Sequence, residues 1–85
     1  METRTSIDII VEYFALFRSC ARKGEETLIV EDHLPASLYD SLRAKYQFPL
    51  DRQQVHLAVN DRYSPWDQPL RQGDRVVFIP PVSGG

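Results

Sequence analysis

The chain has 85 residues, 26% of them charged, and a formal net charge of −2, a balance that excludes an electrostatic nucleic-acid binder and a length that allows one small core and no internal domain boundary. Its apolar runs are far shorter than a membrane span, and the polar start Met1-Glu2-Thr3-Arg4-Thr5-Ser6 lacks an apolar leader core, so a cytoplasmic location without membrane partners is the default expectation. The one cysteine, Cys20, has no internal disulfide partner, and with His33 and His56 it forms no zinc-ligand spacing, so no bound metal is expected.

After the polar extension at 1–6, residues Ile7 to Phe14 alternate as a strand does. Ile7, Ile9, Val11 and Tyr13 would face a core, and Asp8, Ile10, Glu12 and Phe14 the other side. Residues Ala15 to Lys23 are too irregular to continue the strand and predict a short helical turn closed near Gly24. A second strand follows at Glu26 to Glu31. Between Pro35 and Tyr46, Leu38, Leu42 and Tyr46 recur at four-residue spacing beside Tyr39, which predicts the only substantial helix. Its start is open: Ser37 with Asp40 resembles a weak capping box, and Pro35 equally suits a first turn.

Pro49 and Asp51-Arg52-Gln53-Gln54 read as a loop before a third strand at Val55 to Val59, where Val55, Leu57 and Val59 alternate inward. Asn60-Asp61 and Gly73-Asp74 are turn pairs, because they tolerate positive φ or bond to their own backbone. A short strand near Arg62 to Ser64 and a last strand at Arg75 to Ile79 complete an α+β roll, a mixed sheet with one helix across its concave face.

In the last strand Val76 and Phe78 can fill the core, while Val77 and Ile79 must face the other way. One helix cannot cover both faces of so small a sheet, so Phe14, Tyr63 and Ile79 are expected to share an exposed patch that meets a partner. Beyond it, Pro80-Pro81-Val82-Ser83 ends sheet pairing and stiffens the chain. Gly84 and Gly85 have no Cβ and can enter a channel too narrow for other residues. Fully extended, residues 82–85 reach roughly 13 Å at about 3.3 Å each. The terminal carboxylate is therefore expected to be a chemical handle.

Tyr13-Phe14-Ala15, Arg18, Leu57-Ala58-Val59-Asn60, Leu70-x-x-Gly73-Asp74-x-Val76 and the ending Phe78-Ile79-Pro80-Pro81-Val82-Ser83-Gly84-Gly85 together resemble the sulfur-carrier small subunit of molybdopterin synthase. The resemblance runs from about Ile7 to the C-terminus, departing only in the polar extension and a longer loop around Phe48 to Gln54. It implies a ubiquitin-like β-grasp fold with a flexible Gly-Gly tail. It further implies that a ubiquitin-activating-like adenylyltransferase joins the Gly85 carboxylate to AMP from ATP. A sulfur donor then turns the acyl-adenylate into a thiocarboxylate. In the large synthase subunit, which would supply the catalytic residues, the tail would give its sulfur to cyclic pyranopterin monophosphate to build the dithiolene. A heterotetramer with two of each subunit is implied. By the same resemblance Phe14, Tyr63 and Ile79 match docking positions, Arg18 a charged contact beside them, and Pro80, Pro81, Val82 and Ser83 the stem of the tail.

The chemistry fits that expectation. An α-carboxyl group with a pKa of about 3.3–3.7 is ionised at neutral pH and is a poor acyl electrophile, so activation is obligatory. The four glycines form no phosphate-binding loop, so the partner would bind the ATP and this chain binds no cofactor itself.

Other residues have simpler readings. Cys20 reads as passive despite Arg18, Arg22 and Lys23 nearby; that basic cluster is too small for an anion site of its own. His33 and His56 read as solvated, without a nucleophile at a recognisable spacing. Glu25-Glu26, Glu31-Asp32 and Asp8 with Glu12 read as charge on exposed faces and loops. The alternatives are a carrier for another pathway such as thiazole synthesis, a ubiquitin-like modifier conjugated through Gly85, and a plain binding module for which trimming Gly84-Gly85 is harmless.

Overall fold

A computed structural model describes residues 5–82; Ser83, Gly84 and Gly85, and the first four residues of the polar extension, lie outside them. Five strands form one mixed sheet: β1 (Ile7–Glu12), β2 (Glu25–Val30), β3 (His56–Val59), β4 (Arg62–Ser64) and β5 (Arg75–Ile79), in the order β2-β1-β5-β3-β4. The central pair, β1 with β5, is parallel, and the flanking pairs are antiparallel. The first and last strands thus lie side by side in the middle, which is the β-grasp arrangement expected from the sequence.

The core lies on one side of this sheet. Ile9, Val11 and Tyr13 from the first strand segment, Leu57, Val76 and Phe78 from the others, and Leu38, Tyr39 and Leu42 from the helix α2 (Pro35–Tyr46) are all buried. Aromatic rings fill its centre: Phe17 meets Phe48 and Tyr39 meets Phe78 edge-on, each with centroids 5.0 Å apart, the geometry that ring quadrupoles favour. The helical turn expected before Gly24 is a seven-residue helix, α1 (Ala15–Ala21), and its Phe17 is fully buried. A second helix therefore shares the core with α2.

Several element ends move by a residue, as hydrogen-bond assignment of frayed ends allows; three differences have a larger cause. β1 stops at Glu12 and not Phe14, because Ala15 takes φ 51° and turns the chain out of the strand. α1 closes on Arg22, left-handed at φ 63° with its N–H bonded to the Arg18 carbonyl, and not on Gly24; Gly24 instead accepts the Tyr13 N–H at 2.8 Å. α2 begins with Pro35 in its first turn, where a missing N–H costs nothing. The Ser37–Asp40 box does not form: Asp32 accepts the Leu34 N–H at 3.0 Å and Asp40 pairs with Arg52 at 2.9 Å. The loop at 51–54 contains a 3₁₀ turn (Arg52–Gln54) held by a reciprocal Asp51–Gln54 capping box.

Glu26 corrects its reading as exposed charge. Its side chain is only 13% exposed, and one carboxylate oxygen accepts both the Tyr13 hydroxyl at 2.5 Å and the Tyr46 hydroxyl at 2.8 Å. Lys23 approaches the other oxygen at 3.5 Å. Burial alone would raise the carboxyl's pKa, but the two phenol donors and the ammonium outweigh it and hold the group below its ordinary range. Burial, then the bond to Glu26, pushes the Tyr13 phenol far up, so it stays a donor. His33 is half-buried, its Nε2 against the Thr5 carbonyl.

Candidate docking cleft on the outer face of the sheet

On the face away from the core, one row of residues crosses all five strands. Glu25 opposes Glu12, Glu12 opposes Val77, Val77 opposes Ala58 and Ala58 opposes Tyr63. Partners in register share a face, so the row spans roughly 19 Å at about 4.8 Å per strand. Its middle is the floor of an open cleft of about 370 Å³, lined by Glu12, Phe14, Ala58, Asp61, Tyr63, Val77 and Ile79.

The structure brings together Phe14, Tyr63 and Ile79, the three apolar positions expected from the sequence. Phe14 is 52% and Tyr63 77% exposed, and Ile79 is half-buried. Each is placed by a local cause. The two-residue period of β5 sends Val76 and Phe78 into the core and leaves Val77 and Ile79 on the cleft side. Tyr63 projects from a hairpin whose turn residues Asn60 and Asp61 both have positive φ, at 52° and 69°. These are the residue types that tolerate it best after glycine. The His56 ring rests edge-on against Tyr63 at 5.9 Å. Phe14 precedes the left-handed Ala15, and that kink parts it from the buried Tyr13 and Phe17 on either side.

Arg18 does not line the cleft. It is exposed on α1, its guanidinium carbon 3.9 Å from where a Cβ on Gly24 would stand. Pro80, directly after β5, is half-buried; Pro81 and Val82 are exposed, so the chain leaves the sheet beside the cleft. The expected reactive tail, Ser83, Gly84 and Gly85, falls outside the described residues.

Sequence reasoning did not place Ala58, Glu12 or Asp61 in the site. Ala58 was within reach, because period two puts it opposite the buried Leu57. Glu12 carries the charge of the floor and is paired with Arg75 at 2.6 Å. Asp61 has no ion pair among the described residues. No three His, Cys, Asp or Glu side chains there gather in a way that could hold a metal ion, and no helix there is long and apolar enough to cross a membrane.

A model of the ThiS family matches residues 11–85. The molybdopterin synthase sulfur carrier subunit of Mycobacterium tuberculosis is 37% identical over 82 residues, covering 93% of this chain and 99% of that relative. Among solved structures, a Pyrococcus furiosus protein provisionally assigned as molybdopterin converting factor subunit 1 superposes with a TM-score of 0.73 at 32% identity, over 89% of this chain and 99% of that one. A chain from the complex of subunits 1 and 2 of the Helicobacter pylori molybdopterin-converting factor superposes at 0.62 with 24% identity, over 93% and 100%. The last likeness is one of fold.

Proposed function

The chain belongs to the ThiS family and is related along nearly its whole length to a molybdopterin synthase sulfur carrier; on that premise we propose that it carries sulfur on the Gly85 carboxylate for molybdopterin synthesis. An adenylyltransferase partner forms the mixed anhydride of Gly85 with AMP, releasing pyrophosphate from ATP. A sulfur donor then displaces AMP and leaves a terminal thiocarboxylate, whose soft, charged sulfur is a nucleophile. The large synthase subunit takes the tail into its active site, where the sulfur passes to cyclic pyranopterin monophosphate and the carboxylate returns. Catalysis belongs to the partners, and two carriers serve two large subunits.

One observation carries this reading: the apolar cleft formed by Phe14, Tyr63 and Ile79 lies beside the point where β5 gives way to Pro80, Pro81 and Val82. A partner bound at the cleft has the tail within its grasp, and docking and delivery are one event. The bound complex of two converting-factor subunits in Helicobacter pylori supports a large subunit as that partner.

The test incubates the chain with ATP, its adenylating enzyme and a sulfur source and reads the intact mass for one oxygen-to-sulfur exchange. Transfer to the pterin precursor by the large subunit follows. Loading that persists after Gly84-Gly85 is removed refutes the proposal. Loading without transfer to pterin points to thiazole synthesis, and isopeptide-linked Gly85 on other proteins points to a modifier.

A further inference from the structure

The row is acidic at its β2 end, and the charges there are arranged at a cost. Glu12 and Glu25 stand directly opposite each other on neighbouring strands, and like charges so placed destabilise a sheet. Arg75 compensates Glu12 at 2.6 Å. Glu25 is exposed and has no ion pair among the described residues. Off the row, in the turn between β3 and β4, Asp61 lines the cleft and is likewise without an ion pair among the described residues. The neighbouring Arg62 makes no ion pair with it and opens instead onto a second groove with Arg71 and Ser64. Between these carboxylates lie the Glu12–Arg75 ion pair, neutral as a unit, and the apolar Val77, Ala58, Phe14, Tyr63 and Ile79, so the surface is an apolar strip flanked by two unpaired carboxylates, Asp61 on the cleft wall and Glu25 beyond the ion pair.

We infer that the surface is built for a partner segment that places an apolar side chain on Val77 and Ala58 and flanks it with Lys or Arg side chains facing Asp61 and Glu25. The inference rests on the docking role proposed above and adds the chemistry of the occupant. Two facts favour a basic occupant. An apolar strip alone would accept any apolar surface, and unpaired carboxylates flanking it reject an acidic or purely apolar one, since their desolvation would go unmatched. Charge of one sign around a docking site also speeds encounter with a complementary partner.

The probe is the large synthase subunit of the same organism, with association followed by stopped-flow at low and at near-physiological salt. Glu25→Gln with Asp61→Asn is expected to slow association about three- to tenfold at low salt and to flatten its salt dependence. The thermal midpoint should hold or rise, because Glu25→Gln removes the repulsion with Glu12. Ile79→Asp, at the apolar centre, should abolish binding in a folded chain. An unchanged rate and salt slope in the double variant, with binding still lost in Ile79→Asp, overturns the basic occupant and leaves the docking role standing. Undiminished binding by Ile79→Asp overturns the docking role itself.

Discussion

Replacing Tyr13 by Phe removes one oxygen from a nearly closed site and changes little else, which makes it the cleanest probe of the Glu26 cluster. The Tyr13 side chain is 1% exposed, so its hydroxyl has no water to turn to, and Phe leaves no orphaned donor. Glu26 keeps Tyr46 and Lys23. What disappears is a bond to a charged acceptor, worth about 1.5–3 kcal/mol. For a domain of this size, about 2 kcal/mol lowers the thermal midpoint by roughly 8–16 °C. The pH dependence has a definite sign. Glu26 is more acidic in the folded chain than in the unfolded one. Its stabilisation is therefore complete above the unfolded carboxylate value of about 4.3 and fades as pH falls through the lower folded value. The gap between Tyr13→Phe and the parent should shrink toward that of a neutral bond, about 1 kcal/mol, in strong acid. Circular-dichroism melts from pH 7 down to acid measure it. Equal midpoints at neutral pH, or a gap that widens as pH falls, would refute the reasoning.

Ala15→Gly should stabilise the chain by about 1 kcal/mol, since a left-handed residue with a Cβ costs about 1–2 kcal/mol and glycine returns part of that through unfolded-state entropy; urea titration reads the gain. Gly73→Ala should do the reverse. Gly73 has φ +85° and nothing within 4 Å of an added Cβ, so the loss of about 1–2 kcal/mol is backbone strain alone. A substitution without effect there would mean the turn had changed shape.

Much of this architecture was legible because it rests on period. The two-faced pattern of β5 announced both the core pair Val76 and Phe78 and the outward pair Val77 and Ile79, and the alternation from Ile7 put Phe14 on the outer side although β1 itself ends at Glu12; Tyr63 sits on a strand of three residues, too short to carry a period of its own. What stayed hidden depends on contacts between distant positions or on backbone angles that residue type does not reveal. Glu26 sits in an alternating strand like any surface acid, and its two tyrosine partners lie 13 and 20 residues away. Arg22 and Gln47 end their helices left-handed where glycine would have been the readable signal, and Ala15 does so at a helix start. The capping box at Asp51 and Gln54 was readable in principle, but a single polar turn offers no periodicity to set it apart. The tail proposed to react, legible as Pro-Pro-Val-Ser-Gly-Gly, is tested by chemistry on Gly85, since its last three residues lie outside the described ones.

The central position of β5 bears on what happens when a partner pulls. Traction on Val82 along the tail passes straight into a strand bonded to β1 on one side and to β3 on the other. The load is shared in shear across both ladders, so no edge is left to unzip. Under the proposed carrier role, in which the chain is gripped by its end and released repeatedly, that anchorage lies where the sheet is hardest to peel.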